Sequence, residues 1–257
     1  MSVQSNLAKQ SVGQFAERFR ADMIPLSNTF SYFCAAAPLS EEDLKEYLEE
    51  PIASLPPSIS ALLPKISILL VPYLERCDHK ALRAAGFNGD YVCTEKPPEN
   101  RLSWTSQVRL DSQEVLIFAL KEQQVAEYHY HFYQLLAEFI GDRWSNDVRD
   151  RFSAALVEEL NAVVHGEVDE ASWKHKQALL HRQSTFRKST KLFREYARQA
   201  FIDTLTLYLH GICCDIDVDT GPRQLASRHL RKRLELLRSL FPPPDGYAVF
   251  PEEHKEH

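Results

Sequence analysis

The sequence predicts a mainly α-helical protein: an antiparallel helical bundle with a Pro-rich irregular N-terminal part and a small β insert around residues 64–110. The first observation is the glycine content of 8 in 257 residues. Since Gly supplies the positive φ angles of tight turns, this low content argues against an all-β fold. The second is that apolar side chains recur at helical spacing after Ser112. With 44 % hydrophobic and 26 % charged residues, the chain has a globular composition, which excludes disorder over most of its length.

The first elements are helical. Apolar residues at helical spacing predict a helix over residues 6–23, which Pro25 limits. Ser40 and Asp43 have the spacing of a capping box and predict the start of a second helix. We expect that helix to stop before Pro51, because proline lacks the N–H that a continuing helix requires.

The β insert follows a proline-punctuated stretch. Residues 66–71 are apolar and rich in β-branched side chains, which predicts a short buried strand. In residues 102–110 apolar side chains fall on alternate positions, which predicts one or two further strands.

The rest of the chain is predicted to be helical, with Gly, Pro or capping residues at the helix ends. The predicted helices cover residues 112–140, 146–165, 169–183, 184–210 and 225–241. Residues 1–241 are therefore predicted to form one domain, in which the acidic, Pro-rich residues 1–111 pack on the helices of residues 112–241. Prolines 242–244 predict that residues 242–257 form a mobile acidic tail.

The cysteines and the hydropathy indicate a cytoplasmic protein. The chain has 5 Cys, none in C-x-x-C spacing, which favours a reducing compartment. The N-terminus lacks the apolar core of a signal peptide, and no apolar run reaches the ~20 residues of a membrane span. Cys213 and Cys214 are interpreted as a small buried pair, and the aspartates after them are expected to raise a thiol pKa.

The charge is unevenly distributed. The net charge is −6, yet residues 174–241 carry fourteen Lys and Arg against six Asp and Glu. Such an imbalance indicates either an anionic partner or an internal match between oppositely charged faces.

Two sets of cations are the predicted binding residues. The first is spaced four, three and four residues apart, which places its members on one helix face, and the second lies in the last predicted helix. The residues are Arg187, Lys191, Arg194, Arg198, Arg228, Arg231 and Lys232. We expect them to bind an acidic protein surface or, alternatively, nucleic acid, without catalysis. No recognised nucleic-acid motif accompanies them, and self-association stays open.

A different function is suggested by the His- and Tyr-rich residues 127–133. Glu127, His131 and Glu138 share one side of the predicted helix, so the alternative is a helical-bundle enzyme with a metal or small-molecule pocket. The spacing of di-iron bundles is absent, however, and a solvated Glu–His pair is the simpler interpretation. His129 is predicted to be a hydrogen-bonded core or boundary residue. We predict no cofactor and no bound metal.

Overall fold

The computed structural model describes residues 10–76, 90–182, 190–214 and 223–250. The protein is mixed α/β, with 54 % helix, 18 % strand and sheets of four and five strands among the described residues. The prediction of a mainly α-helical bundle is therefore wrong. Within the described ranges, no helix is both long and apolar enough to cross a membrane.

The strands are β1 (Gln10–Ser11), β2 (Ile24–Pro25), β3 (Phe30–Cys34), β4 (Ile66–Val71), β5 (Tyr73–Glu75), β6 (Tyr91–Cys93), β7 (Leu102–Ser103), β8 (Thr105–Leu110) and β9 (Gln113–Ala119). The helices are α1 (Val12–Arg18), α2 (Glu41–Leu44), α3 (Glu50–Ala53), α4 (Pro57–Ser60), α5 (Val125–Arg143), α6 (Asn146–Asn161), α7 (Glu170–Arg182), α8 (Lys191–Cys213) and α9 (Ser227–Leu240).

The chain divides into two compact units. Unit 1 comprises Met1–Glu49 and Leu63–His131, and unit 2 comprises Glu50–Leu62 and Phe132–His257. The predicted single domain over residues 1–241 stays a prediction.

Unit 1 is built on a sheet with the strand order β2-β3-β4-β9-β8, in which β3, β4 and β9 are parallel. All six residues of β4 are buried. A strand that is buried on both faces has a continuous run of apolar residues, and this run made residues 66–71 recognisable as a strand from the sequence. That predicted strand is confirmed, as are strands within residues 102–110. Val12 and Phe15 of α1, together with its C-cap residue Phe19, form one core cluster with residues of β4 and β9.

The largest error concerns residues 113–119, which were predicted to start a helix and instead form β9. Leu110 pairs with Gln113, so Asp111 and Ser112 are the two-residue turn of a hairpin. Asp111 has φ 52°, a conformation that such turns require and that Asp tolerates. Ser112 is thus a turn residue, and the helix begins only at Val125.

The predicted capping box at Ser40 is confirmed, because Ser40 accepts from the Asp43 N–H and the Asp43 carboxylate accepts from the Ser40 N–H. The predicted stop before Pro51 is wrong. The chain continues from α2 through a π-helical segment, Lys45–Glu49, into α3. Pro51 follows the π-helical segment closely, at a place where the regular i→i−4 hydrogen bonding of the helix is already interrupted.

Unit 2 is organised around α8, which contacts α6, α7 and α9. Gly141 was predicted to end the preceding helix, but α5 continues to Arg143. A Cβ atom at Gly141 would lie 2.8 Å from Cγ1 of Ile202. Gly141 therefore allows α5 to approach α8 closely and does not act as a helix stop.

A buried ion-pair network joins the helices of unit 2. Arg233 of α9 is 1 % exposed and donates to the carboxylates of Glu159 and Glu167, with Nε–Oε1 and Nη1–Oε2 distances of 3.0 and 2.8 Å. Lys176 of α7 lies 3.1 Å from Glu167, and the Tyr196 hydroxyl of α8 donates to the same carboxylate. Two cations and two carboxylates balance each other, as buried charges require.

The network predicts acid sensitivity. Burial raises the pKa of Glu167, but Arg233, Lys176 and Tyr196 outweigh burial and hold that pKa below its ordinary value of 4.5. The ionised carboxylate therefore stabilises the fold above the unfolded-state pKa, and this stabilisation is lost as the pH falls through the lower folded-state pKa. We expect urea unfolding between about pH 6 and pH 3 to show a loss of stability that is smaller in Glu167→Gln. The control Glu170→Gln, at an exposed i,i+4 pair, should keep the wild-type pH dependence.

Candidate anion-binding cleft

A cleft of about 520 Å³ opens on unit 2 between α6 and α8. Its lining includes the arginines Arg149, Arg194 and Arg198 and the aromatic rings of Trp144 and Phe193. Two of the predicted binding residues, Arg194 and Arg198, therefore lie in one cleft.

The α6 side of the cleft is set by a helix cap. Ser145 accepts a hydrogen bond from the N–H of Val148 at 3.2 Å, which fixes the start of α6. Trp144 immediately precedes this cap, and its ring packs on Phe201 with 4.4 Å between the centroids. The cap and the packing hold the indole in the lining of the cleft, five residues before Arg149.

On the α8 side of the cleft, helical periodicity determines which side chains share one face. Thr190 caps α8 by accepting from the N–H of Phe193 at 3.3 Å. Arg194 and Arg198 are four residues apart and share one face, with the small Ala197 beside them in the lining. Arg194 is exposed, and the side chain of Arg198 is 40 % exposed.

Carboxylates moderate the positive charge. Arg198 donates through both Nε and Nη2 to Oδ1 of Asp142, at 3.0 and 2.6 Å. Asp150 lies in the lining itself. The cleft therefore suits an isolated anionic group with an apolar neighbour, because guanidinium forks bind carboxylates and phosphates while the rings cover apolar surface.

Of the first predicted set, Lys191 is outside this lining. Lys191 begins α8, is 83 % exposed and lies 3.7 Å from Glu195 in an i,i+4 pair. Arg187 lies outside the described residues.

The second predicted set lies on α9, also outside the lining. Arg228 donates from Nε to Nε2 of His229 at 3.1 Å, and Lys232 is exposed. Arg231 pairs with Glu235 at 3.1 Å and lies 4.7 Å from the ring centroid of Phe250. Phe250, inside the predicted tail, is 8 % exposed.

Sequence reasoning missed Trp144 and Arg149. Neither belongs to a basic stripe, since Arg149 lies between Asp147 and Asp150 and Trp144 lies between two predicted helices. The available signal was the Ser145 cap, which places the indole just before the helix.

Unit 1 has a smaller pocket of about 330 Å³, lined by Trp104, Ala126, Glu127, Tyr130 and His131. Glu127 accepts a hydrogen bond from the N–H of Gln124 at 3.2 Å and so helps to start α5.

The prediction for His129 is confirmed. Its side chain is 4 % exposed, and its Nε2 lies 2.9 Å from the Glu46 carbonyl oxygen.

Comparison with known proteins adds no relationship to this picture. No protein-family model matches the chain, and no curated protein and no solved structure is significantly similar to it.

Proposed function

We propose that unit 2 is a non-catalytic, cytoplasmic binding module whose cleft between α6 and α8 takes a carboxylate-bearing segment of an acidic protein partner. The observation that carries this proposal is the presence of Arg149, Arg194 and Arg198 in one cleft with Trp144. Arginine and tryptophan are the residue types that dominate binding energy in protein interfaces, because they combine a large contact area with directed polar groups.

The distribution of charge favours a protein partner over nucleic acid. Asp142, Asp150 and Glu195 lie among the cations of this surface. A nucleic-acid strand presents closely spaced phosphates, which these carboxylates would repel, and its affinity depends on an uninterrupted set of cations. An acidic protein surface presents separate carboxylates that can meet separate guanidinium groups.

Fluorescence of Trp144 tests the proposal. In a Trp104→Phe/Trp173→Phe background Trp144 is the remaining tryptophan of the chain. It would be titrated with an acidic peptide of alternating Glu and Ser, and separately with single-stranded DNA of equal charge. We expect the peptide to change the emission, and Arg194→Gln to weaken binding about five-fold, which corresponds to about 1 kcal/mol for an exposed ion pair.

The matched control is Arg151→Gln. Arg151 is an exposed arginine of α6 that donates to Ser239 and lies outside the cleft lining. This variant should bind the peptide like the wild type. Tighter binding of the DNA with a steep salt dependence would instead favour nucleic acid, and binding that is equal in Arg194→Gln and the wild type would contradict the role of the cleft.

A second candidate function is small-molecule binding by the pocket of unit 1. The specific observation is that Glu127 and His131, the side chains singled out in the sequence, line it together with Trp104 and Tyr130. Aromatic faces beside a carboxylate suit an organic cation. Tetramethylammonium should then quench Trp104 in a Trp144→Phe/Trp173→Phe background, and Glu127→Gln should weaken that quenching.

A further inference from the structure

A cluster of polar side chains surrounds the end of α8 in unit 2. Cys213 is the last residue of α8, Cys214 follows it, and both are half-buried. Their Sγ atoms lie within 4.8 Å of each other. The cluster also contains the hydroxyls of Ser54 and Tyr133, whose oxygens are 2.9 Å apart.

The hydroxyls are buried and lie within hydrogen-bonding reach of the Cys213 sulfur. Ser54 is 1 % exposed and Tyr133 is fully buried. Both are hydrogen-bonded to Cys213, and both also lie within hydrogen-bonding distance of the Pro51 carbonyl oxygen, at 3.0 and 3.2 Å. Because hydroxyl protons rotate, each can turn from the carbonyl oxygen to a thiolate.

These donors change the acidity of the thiol. The hydrogen bond from Cys214 has the largest effect, and those from Tyr133 and Ser54 add to it against the effect of burial, so the pKa of Cys213 falls from 9.0 to about 7. Burial raises the pKa of Tyr133, so its hydroxyl keeps its proton and stays a donor. The sequence-based expectation of a raised thiol pKa is therefore wrong for Cys213. That expectation was based on the neighbouring aspartates, which lie outside the described residues. Ser54 and Tyr133 are distant from Cys213 in the sequence, so their hydrogen bonds to it could not be included.

We propose that Cys213 is a modification site, a nucleophilic thiolate that is oxidised by hydroperoxides, with Cys214, Ser54 and Tyr133 as the positioning residues that stabilise it. The thiolate sulfur attacks the distal oxygen of the hydroperoxide, forming an S–O bond while the O–O bond breaks. The leaving alkoxide or hydroxide takes a proton from water. The sulfur loses two electrons and becomes a sulfenic acid, and the peroxide is reduced to an alcohol or water.

The expected gain in rate is moderate. At pH 7 a thiol with a pKa of about 7 is half ionised, about fifty times more than one with a pKa of 9.0. A less basic thiolate is also less nucleophilic, which removes about eight-fold. Cys213 should therefore react about six-fold faster at pH 7 than an ordinary thiol of equal exposure.

The test compares two cysteines of the same folded chain. Cys34 is also half-buried and serves as the internal control. Reduced full-length protein would be alkylated with iodoacetamide over a range of pH, and separately treated with hydrogen peroxide and the sulfenic-acid trap dimedone. Modification at each cysteine would be measured by peptide mass spectrometry. We expect the alkylation midpoint of Cys213 near pH 7 and preferential trapping of its sulfenic acid.

Variants of Cys214 separate hydrogen bonding from a structural role. Cys214→Ala removes the strongest donor and should move the alkylation midpoint of Cys213 to higher pH, whereas Cys214→Ser keeps a donor and should leave it near the wild-type value. The proposal is wrong if Cys213 in the wild type titrates and oxidises no more readily than Cys34, or if Cys214→Ala and Cys214→Ser give the same midpoint as the wild type.

Discussion

Arg233→Met is expected to destabilise unit 2 by about 3–5 kcal/mol, because it leaves buried carboxylates without their cation. The guanidinium group of Arg233 donates to both Glu159 and Glu167, which are 7 % and 1 % exposed. Methionine fills a similar volume, so the loss measures the charge and the hydrogen bonds more than the packing. Urea unfolding at neutral pH, followed by circular dichroism, would give the free energy of unfolding.

The adjacent Lys232 is the matched control. It is exposed on the same helix, and Lys232→Met should change the free energy of unfolding by no more than about 0.5 kcal/mol. A quadruple variant with Glu159→Leu, Glu167→Leu and Lys176→Met added to Arg233→Met should recover part of the loss, since replacing all four charges by apolar side chains leaves no buried charge unpaired in the network. A loss below about 1 kcal/mol in Arg233→Met would show that the network is not essential to the fold.

Gly166→Ala is expected to cost about 3 kcal/mol or more, through steric overlap with the backbone. Gly166 has φ 83°, and a Cβ atom there would lie 2.1 Å from the Gln224 carbonyl oxygen. The overlap would separate the β-bridge between Glu167 and Gln224. Since the Gly166 carbonyl oxygen also accepts from Lys176 at 2.8 Å, the displacement would reach the ion-pair network as well.

Gly246 is the control that measures the free-energy cost of a positive φ angle without steric overlap. It has φ 86°, and a Cβ atom there would meet nothing within 4 Å. Gly246→Ala should therefore cost about 1 kcal/mol, the strain of a left-handed residue alone. Thermal unfolding of both variants gives the comparison, and equal losses would contradict the steric argument.

The sequence predicted the elements whose pattern is local. The buried strand at residues 66–71 and the capping box at Ser40 follow from a few adjacent side chains. Strand β9 was missed because its apolar run fits a buried helix as well as a strand. Its conformation is decided by pairing with β4 and β8, and neither partner is visible from the run itself.

For the cations too, the sequence does not show which distant residues they contact. Arg233 belongs to a basic run, but its partners Glu159 and Glu167 are 74 and 66 residues away. One signal was present, since Leu230, Arg233 and Leu237 are at buried positions with helical spacing. In the cleft, the spacing of Arg194 and Arg198 predicted a shared face. The contribution of Arg149 and Trp144 depends on how α6 packs on α8.

The cations of unit 2 named above thus fall into two classes. Arg233 and Lys176 are buried and build the unit. Lys191 and Arg194 are exposed, where ion pairs contribute about 0–1 kcal/mol. The central claim is that this exposed class serves an external partner and is not required for folding.

The most direct test of that claim is the free energy of unfolding of Lys191→Gln/Arg194→Gln in urea, at low and at high salt. We predict a value within about 0.5 kcal/mol of the wild type, because the variant relieves the repulsion between neighbouring cations but also removes the exposed Lys191–Glu195 pair, and each effect amounts to a few tenths of a kcal/mol. A loss of more than about 1 kcal/mol that shrinks in high salt would show that these cations are matched within the protein, and would contradict the binding role.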